Sequence, residues 1–273
     1  MRGVLTVLRA ETYRMTRTRS LWVAWILLGL LTYLVASLAG EEMVGAHGGT
    51  EGLGWGPMAK GLHSGLVIGT LGLAFLAARS LAGDADAWIL RLTVTRSASR
   101  LELVYGRFLL GFPLVLSVIG MSLLGAWLGG LGAGGYGDIV IDNFPIAYGE
   151  DLVDEGRRAV LGIFAPMICV WAFGLFVSSL SPGATPAVAV TLAALLALDL
   201  FKSLLGDYEP LVFTTYVPAL TGTSASGEFV GIAQGFSDSG LLDKEYRMGI
   251  DYSIRTALVC VALAAWRTVR RPL

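Results

Sequence analysis

Apolar and charged positions alternate along this chain in long blocks, and the blocks can be measured against a bilayer. A hydrocarbon core of about 30 Å takes roughly 20 helical residues to cross. Leu21 to Ala39 is the first run of that size, Leu62 to about Ala78 the second and Phe108 to about Leu131 the third. Between Ala159 and Leu198 no charge occurs at all, and Ser181, Pro182, Gly183 and Pro186 break this over-long stretch. It therefore reads as a fourth span from Ala159 to Leu180 and a fifth from Ala184 to Phe201. The sixth has a charge-free core of only 11 residues, Thr256 to Trp266. It extends back through Arg255 to Gly249, with Arg255 snorkelling outward. The predicted fold is all-α: a polytopic membrane protein with six transmembrane helices and both termini on one side. Residues 79–107 form a loop on the side of the termini, and 202–252 a long hairpin on the other.

Residues 1–20 carry a different pattern. At 100° per residue Val4, Leu5, Leu8, Thr12 and Met15 fall in an arc of about 100°, with Arg2, Arg9, Arg14 and Arg17 mostly elsewhere, which predicts an amphipathic interfacial helix. The segment has no apolar core or cleavage site of a secretory signal. Arg17 and Arg19 then suit headgroup level, and Trp22 and Trp25 the aromatic belt.

Composition agrees, with 55% apolar residues, 15% charged residues and a mean hydropathy of +0.68. The net charge of −1 conceals a polarity. Threaded through six spans, the chain places 13 basic and 4 acidic residues on the side of the termini, against 7 basic and 17 acidic on the other, a formal +9 and −10. Basic loops stay cytoplasmic, so the termini are expected inside. No basic surface is concentrated enough for nucleic acid. Cys169 and Cys260 both lie in apolar runs and read as small packed hydrophobes.

The loop 79–107 contains two short helical signals. Asp84 suits the start of a turn or two carrying Trp88, Ile89 and Leu92, with Asp86 beside it. Ser99 followed by Glu102 makes a capping box for the helix that leads into the third span. Trp88 and Ile89 beside Arg91 and Arg96 form an apolar knob with a basic rim, suited to docking on another protein or to resting on the membrane surface.

In this order of parts the chain resembles the membrane subunit of the type-2 ABC transporter permease family over nearly its whole length. The likeness rests on the Arg-rich N-terminal helix with its Glu (Leu8-Arg9-Ala10-Glu11 through Arg19-Ser20-Leu21-Trp22) and on the loop after the second span. There Asp84 or Asp86 matches the family's acid, Ser99-Arg100 its Ser-Arg pair and Arg107 its basic residue before the third span. Ala87-Trp88 stands where the family has Gly-Thr, and the Pro before the Ser-Arg pair is absent, with Thr95 near that place. The resemblance implies an exporter half in which Asp84 to Leu92 act as a coupling helix in a groove of a separate ATPase, and Glu11, Arg14 and Arg17 belong to the interfacial helix. It further implies two ATPase copies, a second permease subunit, identical or related, and a place in the cytoplasmic membrane of a bacterium or archaeon. ATP and magnesium would then bind the partner ATPase and no cofactor this chain. A P-loop needs Gly-Lys, and no such dipeptide occurs. The chain is expected to be a transport subunit, not an enzyme, moving an amphipathic or hydrophobic cargo.

Four further features bear on function. Gly65 and Gly69, and Gly125 and Gly129, have the spacing that lets membrane helices approach, within one subunit or between two. Asp199 and Arg255 reach a similar level on the fifth and sixth spans, which suggests an intramembrane ion pair; separate exits to interfacial water are the alternative. Tyr208, Phe213, Tyr216, Phe229, Phe236 and Tyr246 in the hairpin suit an exit gate or the headgroup layer. The acidic stretch Asp138 to Glu155 suits either cationic cargo or a solvated loop. Two other classes of function stand beside the exporter. An intramembrane hydrolase would draw on Glu41, Glu42, His47 and His63, but His-Glu-x-x-His is missing and Gly235-Phe236-Ser237-Asp238-Ser239 fails the Gly-x-Ser-x-Gly pattern. A stand-alone ion-coupled carrier would call for internal repeats, and none is visible.

Overall fold

The computed structural model describes residues 2–47, 52–86, 99–141, 144–218, 224–235 and 240–270. Within them the chain forms α1 (Arg2–Arg17), α2 (Arg19–His47), α3 (Trp55–Asp86), α4 (Arg100–Gly130), a short hairpin of β1 (Ile139–Ile141) and β2 (Phe144–Ala147), α5 (Gly149–Leu180), α6 (Ala184–Phe201), α7 (Ala225–Ala233) and α8 (Gly240–Arg270). Helices α2, α3, α4, α5, α6 and α8 are long and apolar enough to cross a membrane, which makes this a multi-pass, all-helical membrane protein. All but α6, which matches its span from Ala184 to Phe201, outrun the span read from hydropathy. The α5 helix begins at Gly149, ten residues ahead of Ala159, because Glu150 and Asp151 sit favourably in its first turn. The α8 helix runs unbroken from Gly240, so its charged first turns stand clear of the apolar stretch.

Local signals account for the helix ends. Ser99 caps α4 with a complete capping box: its hydroxyl accepts from Glu102 N at 3.2 Å and its own N–H donates to Glu102 Oε2 at 2.9 Å. Ser181 and Pro182 end α5, and Gly183 opens α6.

The core is built by α3, α4 and α5, with Leu62, Leu66, Leu73, Val115, Ile163 and Trp171 fully buried. Small residues bring α2 onto this core. A Cβ on Gly65 would collide with Thr32 and Ser122, and one on Gly125 with Thr32 and Gly29. A Cβ on Gly69 would meet Val118, and one on Gly129 would meet Ala36 and Tyr33. Both glycine pairs are thus consumed inside the subunit. Cys169 and Cys260 are free and buried in a second apolar cluster with Ala74 and Phe213.

Two expectations are corrected. Asp199 and Arg255 do not pair: Asp199 Oδ1 accepts from Lys202 Nζ at 2.8 Å, and Arg255 bonds Asp251 at 2.8 and 3.0 Å. Each charge has an opposite partner three or four residues away on its own helical path, which costs less chain order than an interhelical pair. Asp84 does not start a helix but lies, with Asp86, in the last turn of α3. The alanines Ala77, Ala78, Ala82 and Ala85 carry α3 through Gly83 to that point.

The hairpin region also differs from a surface layer. Its 3-10 segments (Lys202–Leu211 and Phe213–Tyr216) and α7 fold back so that Phe213, Tyr216 and Phe229 are buried, while Tyr208 stays exposed.

Candidate functional site

At the end of the bundle that carries both termini, a buried charge gathers four helices. Arg107, two turns into α4, is only 3% exposed in its side chain, and Glu11 of α1 is 15% exposed. Arg107 Nη2 donates to Glu11 Oε1 at 2.9 Å, and Nε reaches the same oxygen at 3.3 Å. The third arm of the guanidinium, Nη1, donates to the carbonyl of Ser80 in α3. The Arg107 carbonyl in turn accepts from Trp171 Nε1 of α5 at 3.0 Å. A planar guanidinium with several fixed donors suits such a multi-helix contact, which a lysine would not reproduce.

The approach of α1 to α4 follows from sequence. Gly3 leaves room for Glu102, and Gly106 leaves room for Val7, so α1 lies along the first turns of α4. Its buried face is Val7 with Glu11, flanked by Leu8 and Met15, while Leu5 and Thr12 face outward. Of the predicted apolar arc, Val4, Leu8 and Met15 are partly buried and Leu5 and Thr12 are exposed. Arg14 is exposed and bonds Glu11 weakly at 3.8 Å, and Arg17 lies over the Tyr13 ring at 4.9 Å.

Helix α3 is held a second time nearby. Ser178 Oγ of α5 accepts from the backbone N–H groups of Leu81 and Ala82 at 3.1 and 2.9 Å, and donates to Ala78 O at 2.6 Å. A side chain inserted into a helical ladder is a recognised origin of bending. The last turns of α3, which lead into residues 87–98, are thus gripped by Arg107 from α4 and Ser178 from α5. On the same end Arg100 Nη1 donates to Val269 O at 2.9 Å and Thr268 O at 3.4 Å, capping the last carbonyls of α8.

Of the residues singled out from sequence, Trp88, Ile89, Arg91, Leu92 and Arg96 lie outside the described residues. Glu11 joins Arg107, which the sequence marked only through the resemblance, as the basic residue before the third span. Ser80, Ser178 and Trp171 carried no sequence signal, since a serine or tryptophan in an apolar run reads as packing.

The other polar site is at the opposite end. His63 Nδ1 lies 2.9 Å from Ser226 Oγ, which lies 3.1 Å from Ser224 Oγ. Both serines are buried, Ser226 at 1% exposure, so the pair joins α3 to α7 out of reach of a substrate. Among the described residues no group of three His, Cys, Asp or Glu is placed to hold a metal ion.

Comparison with protein-family models gives no match, and comparison with curated proteins gives none either.

Proposed function

We propose that this chain is the permease subunit of an ATP-driven exporter of the type-2 ABC class, with residues 87–98 facing a separate ATPase at the cytoplasmic surface. The observation that carries the reading is the Arg107 junction. It ties the helix leading into that loop, by the Ser80 carbonyl, to the interfacial helix, by Glu11, and to the body of the bundle, by Trp171. A push on residues 87–98 therefore cannot move α3 alone. It shifts α1, α4 and α5 together, as a mechanical input from a nucleotide-driven partner requires. Further support comes from the basic side of the chain, which carries the termini and this loop. Two permease subunits, identical or related, would pair around the cargo path, with two ATPase copies beneath, where ATP and magnesium bind.

The decisive experiment is capture of the tagged chain from its native membrane in mild detergent, wild type against Trp88→Glu, with co-purifying chains identified by mass. The expected result is a P-loop ATPase retained by wild type and lost by the variant. Wild type that brings down no ATPase would overturn the reading.

A further inference from the structure

On the side of the β-hairpin, α3, α4 and α5 part around a cavity of about 1010 Å³. That is at the top of the roughly 300–1,000 Å³ range of pockets that enclose a drug-sized ligand. Its deep wall is apolar, with Leu62, Leu123, Val160 and Leu161. Its mouth is aromatic and charged, with Trp55, Trp127 and Tyr136 beside Asp138, Glu150 and Arg157.

Three observations decide what occupies it. The first is depth. Gly120 at the floor lies ten residues from Gly130 at the end of α4, about 15 Å at 1.5 Å per residue, or half of a hydrocarbon core of about 30 Å. Along α4 the lining runs from Gly120 to Trp127, about 10 Å at 1.5 Å per residue, so the cavity lies within one leaflet. Leu124, Val153 and Leu161 around it are about half exposed on the outside of the bundle, so it opens sideways.

The second is Gly120 itself. On α4 it stands in a stripe with Leu116, Leu124 and Trp127, all large and exposed. Gly106, Gly111, Gly125 and Gly129 of the same helix each meet a neighbour that a Cβ would strike, whereas a Cβ on Gly120 would meet nothing within 4 Å. The missing side chain serves no helix contact; it keeps the cavity open.

The third is the mouth. Tyr136 donates to Trp127 O at 2.5 Å and meets the Trp55 ring edge-on at 5.0 Å, and Trp55 Nε1 donates to Gly137 O at 3.0 Å. Such a fixed aromatic rim suits headgroup level. Among the described residues Arg157 is held only by Asp154 at 3.4 Å, both well exposed, a pair of small net value that a phosphate can displace. Asp138 and Glu150 supply negative charge beside it.

We infer that this cavity is a binding site for a zwitterionic, amine-bearing phospholipid of the hairpin-side leaflet, acyl chain against Gly120, phosphate at Arg157 and ammonium at Glu150 and Asp138. The site goes beyond the exporter reading and stands whether or not an ATPase is the partner.

The test uses the full chain, purified and delipidated, with phosphatidylethanolamine and phosphatidylglycerol added separately and bound lipid counted by native mass spectrometry. Gly120→Phe fills the floor. Gly72→Phe is the control, because Gly72 also has nothing within 4 Å of a Cβ but lies outside the cavity. Wild type and Gly72→Phe are expected to hold phosphatidylethanolamine, Gly120→Phe to bind it about tenfold more weakly, about 1.4 kcal/mol. Glu150→Gln should erase the preference over phosphatidylglycerol. A photoactivatable acyl chain on the wild-type protein should label the peptides holding Leu123 and Leu161, a readout that needs no variant. Labelling elsewhere, equal loss in both glycine variants, or cross-linking of two copies of the chain through Leu124→Cys would overturn the site.

Discussion

Helices α3, α4 and α5 meet twice, and the two meetings are opposites. At the end bearing the termini they close on a buried guanidinium whose donors reach Glu11 and Ser80 and whose backbone carbonyl takes the Trp171 indole. At the hairpin end the same three helices separate around 1010 Å³ of mostly apolar space. Buried charge punishes displacement, because a guanidinium pulled from its carboxylate has no water to turn to. An apolar cavity facing lipid imposes no such penalty. The bundle is locked by a buried charge at the first end and opens, behind a fixed aromatic rim, onto apolar space at the second.

The largest effect should come from breaking the junction. Glu11→Ala leaves Arg107 buried without its carboxylate, a change that typically costs about 3–5 kcal/mol. The expected outcome is a large fall in unfolding temperature in detergent, partly restored in Glu11→Ala with Arg107→Met, where no buried charge remains. Losses in Glu11→Ala and Arg107→Met that simply add in the double variant would show that the pair contributes nothing as a pair.

Next in size is Gly111→Ala, in the same helix and near the same junction. The new methyl would strike the Trp171 ring, which is itself fixed by its bond to Arg107 O. Overpacking of this kind costs about 1–3 kcal/mol. A lowered unfolding temperature is expected, with the shift reduced in Gly111→Ala combined with Trp171→Phe, which makes room. Smaller again is Ser178→Ala. It removes the hydroxyl to which Leu81 and Ala82 donate, and bonds between membrane helices are worth about 0.6 kcal/mol on average. Its signature is local: faster amide exchange at 78–86, with the rest of the bundle unchanged. Uniform exchange across all helices would argue against a separate grip on the end of α3.

How much of this was legible in the sequence differs between the two ends for a physical reason. Hydropathy located all six spans, because each must satisfy the same length requirement by itself. The Ser99 capping box was readable too, since both partners lie within three residues. The junction was not: Glu11 and Arg107 are 96 residues apart, and no periodicity on either helix specifies the other. The same limit explains the misplaced ion pair. Matching Asp199 to Arg255 by depth overlooked Lys202 and Asp251, each already within one turn of its partner. The cavity was least legible of all, since an absent side chain leaves the same mark at Gly120 as at glycines that pack tightly.

That equivalence supplies the sharpest prediction. Gly111 and Gly120 are both interior glycines of α4, so Gly→Ala should gain the same intrinsic helix stability at each, up to about 1 kcal/mol. At Gly111 the gain is outweighed by the collision with Trp171; at Gly120 nothing opposes it, because the methyl enters open space. Gly120→Ala is therefore expected to raise the unfolding temperature slightly while Gly111→Ala lowers it, measured in the same detergent. Added phosphatidylethanolamine should narrow the Gly120→Ala gain over wild type, since the bound acyl chain already fills part of the space that the methyl occupies. If the two variants shift the same way, the contrast between a locked end and an open end is wrong at the level of α4, and the difference between the meetings must lie in α1 and the hairpin.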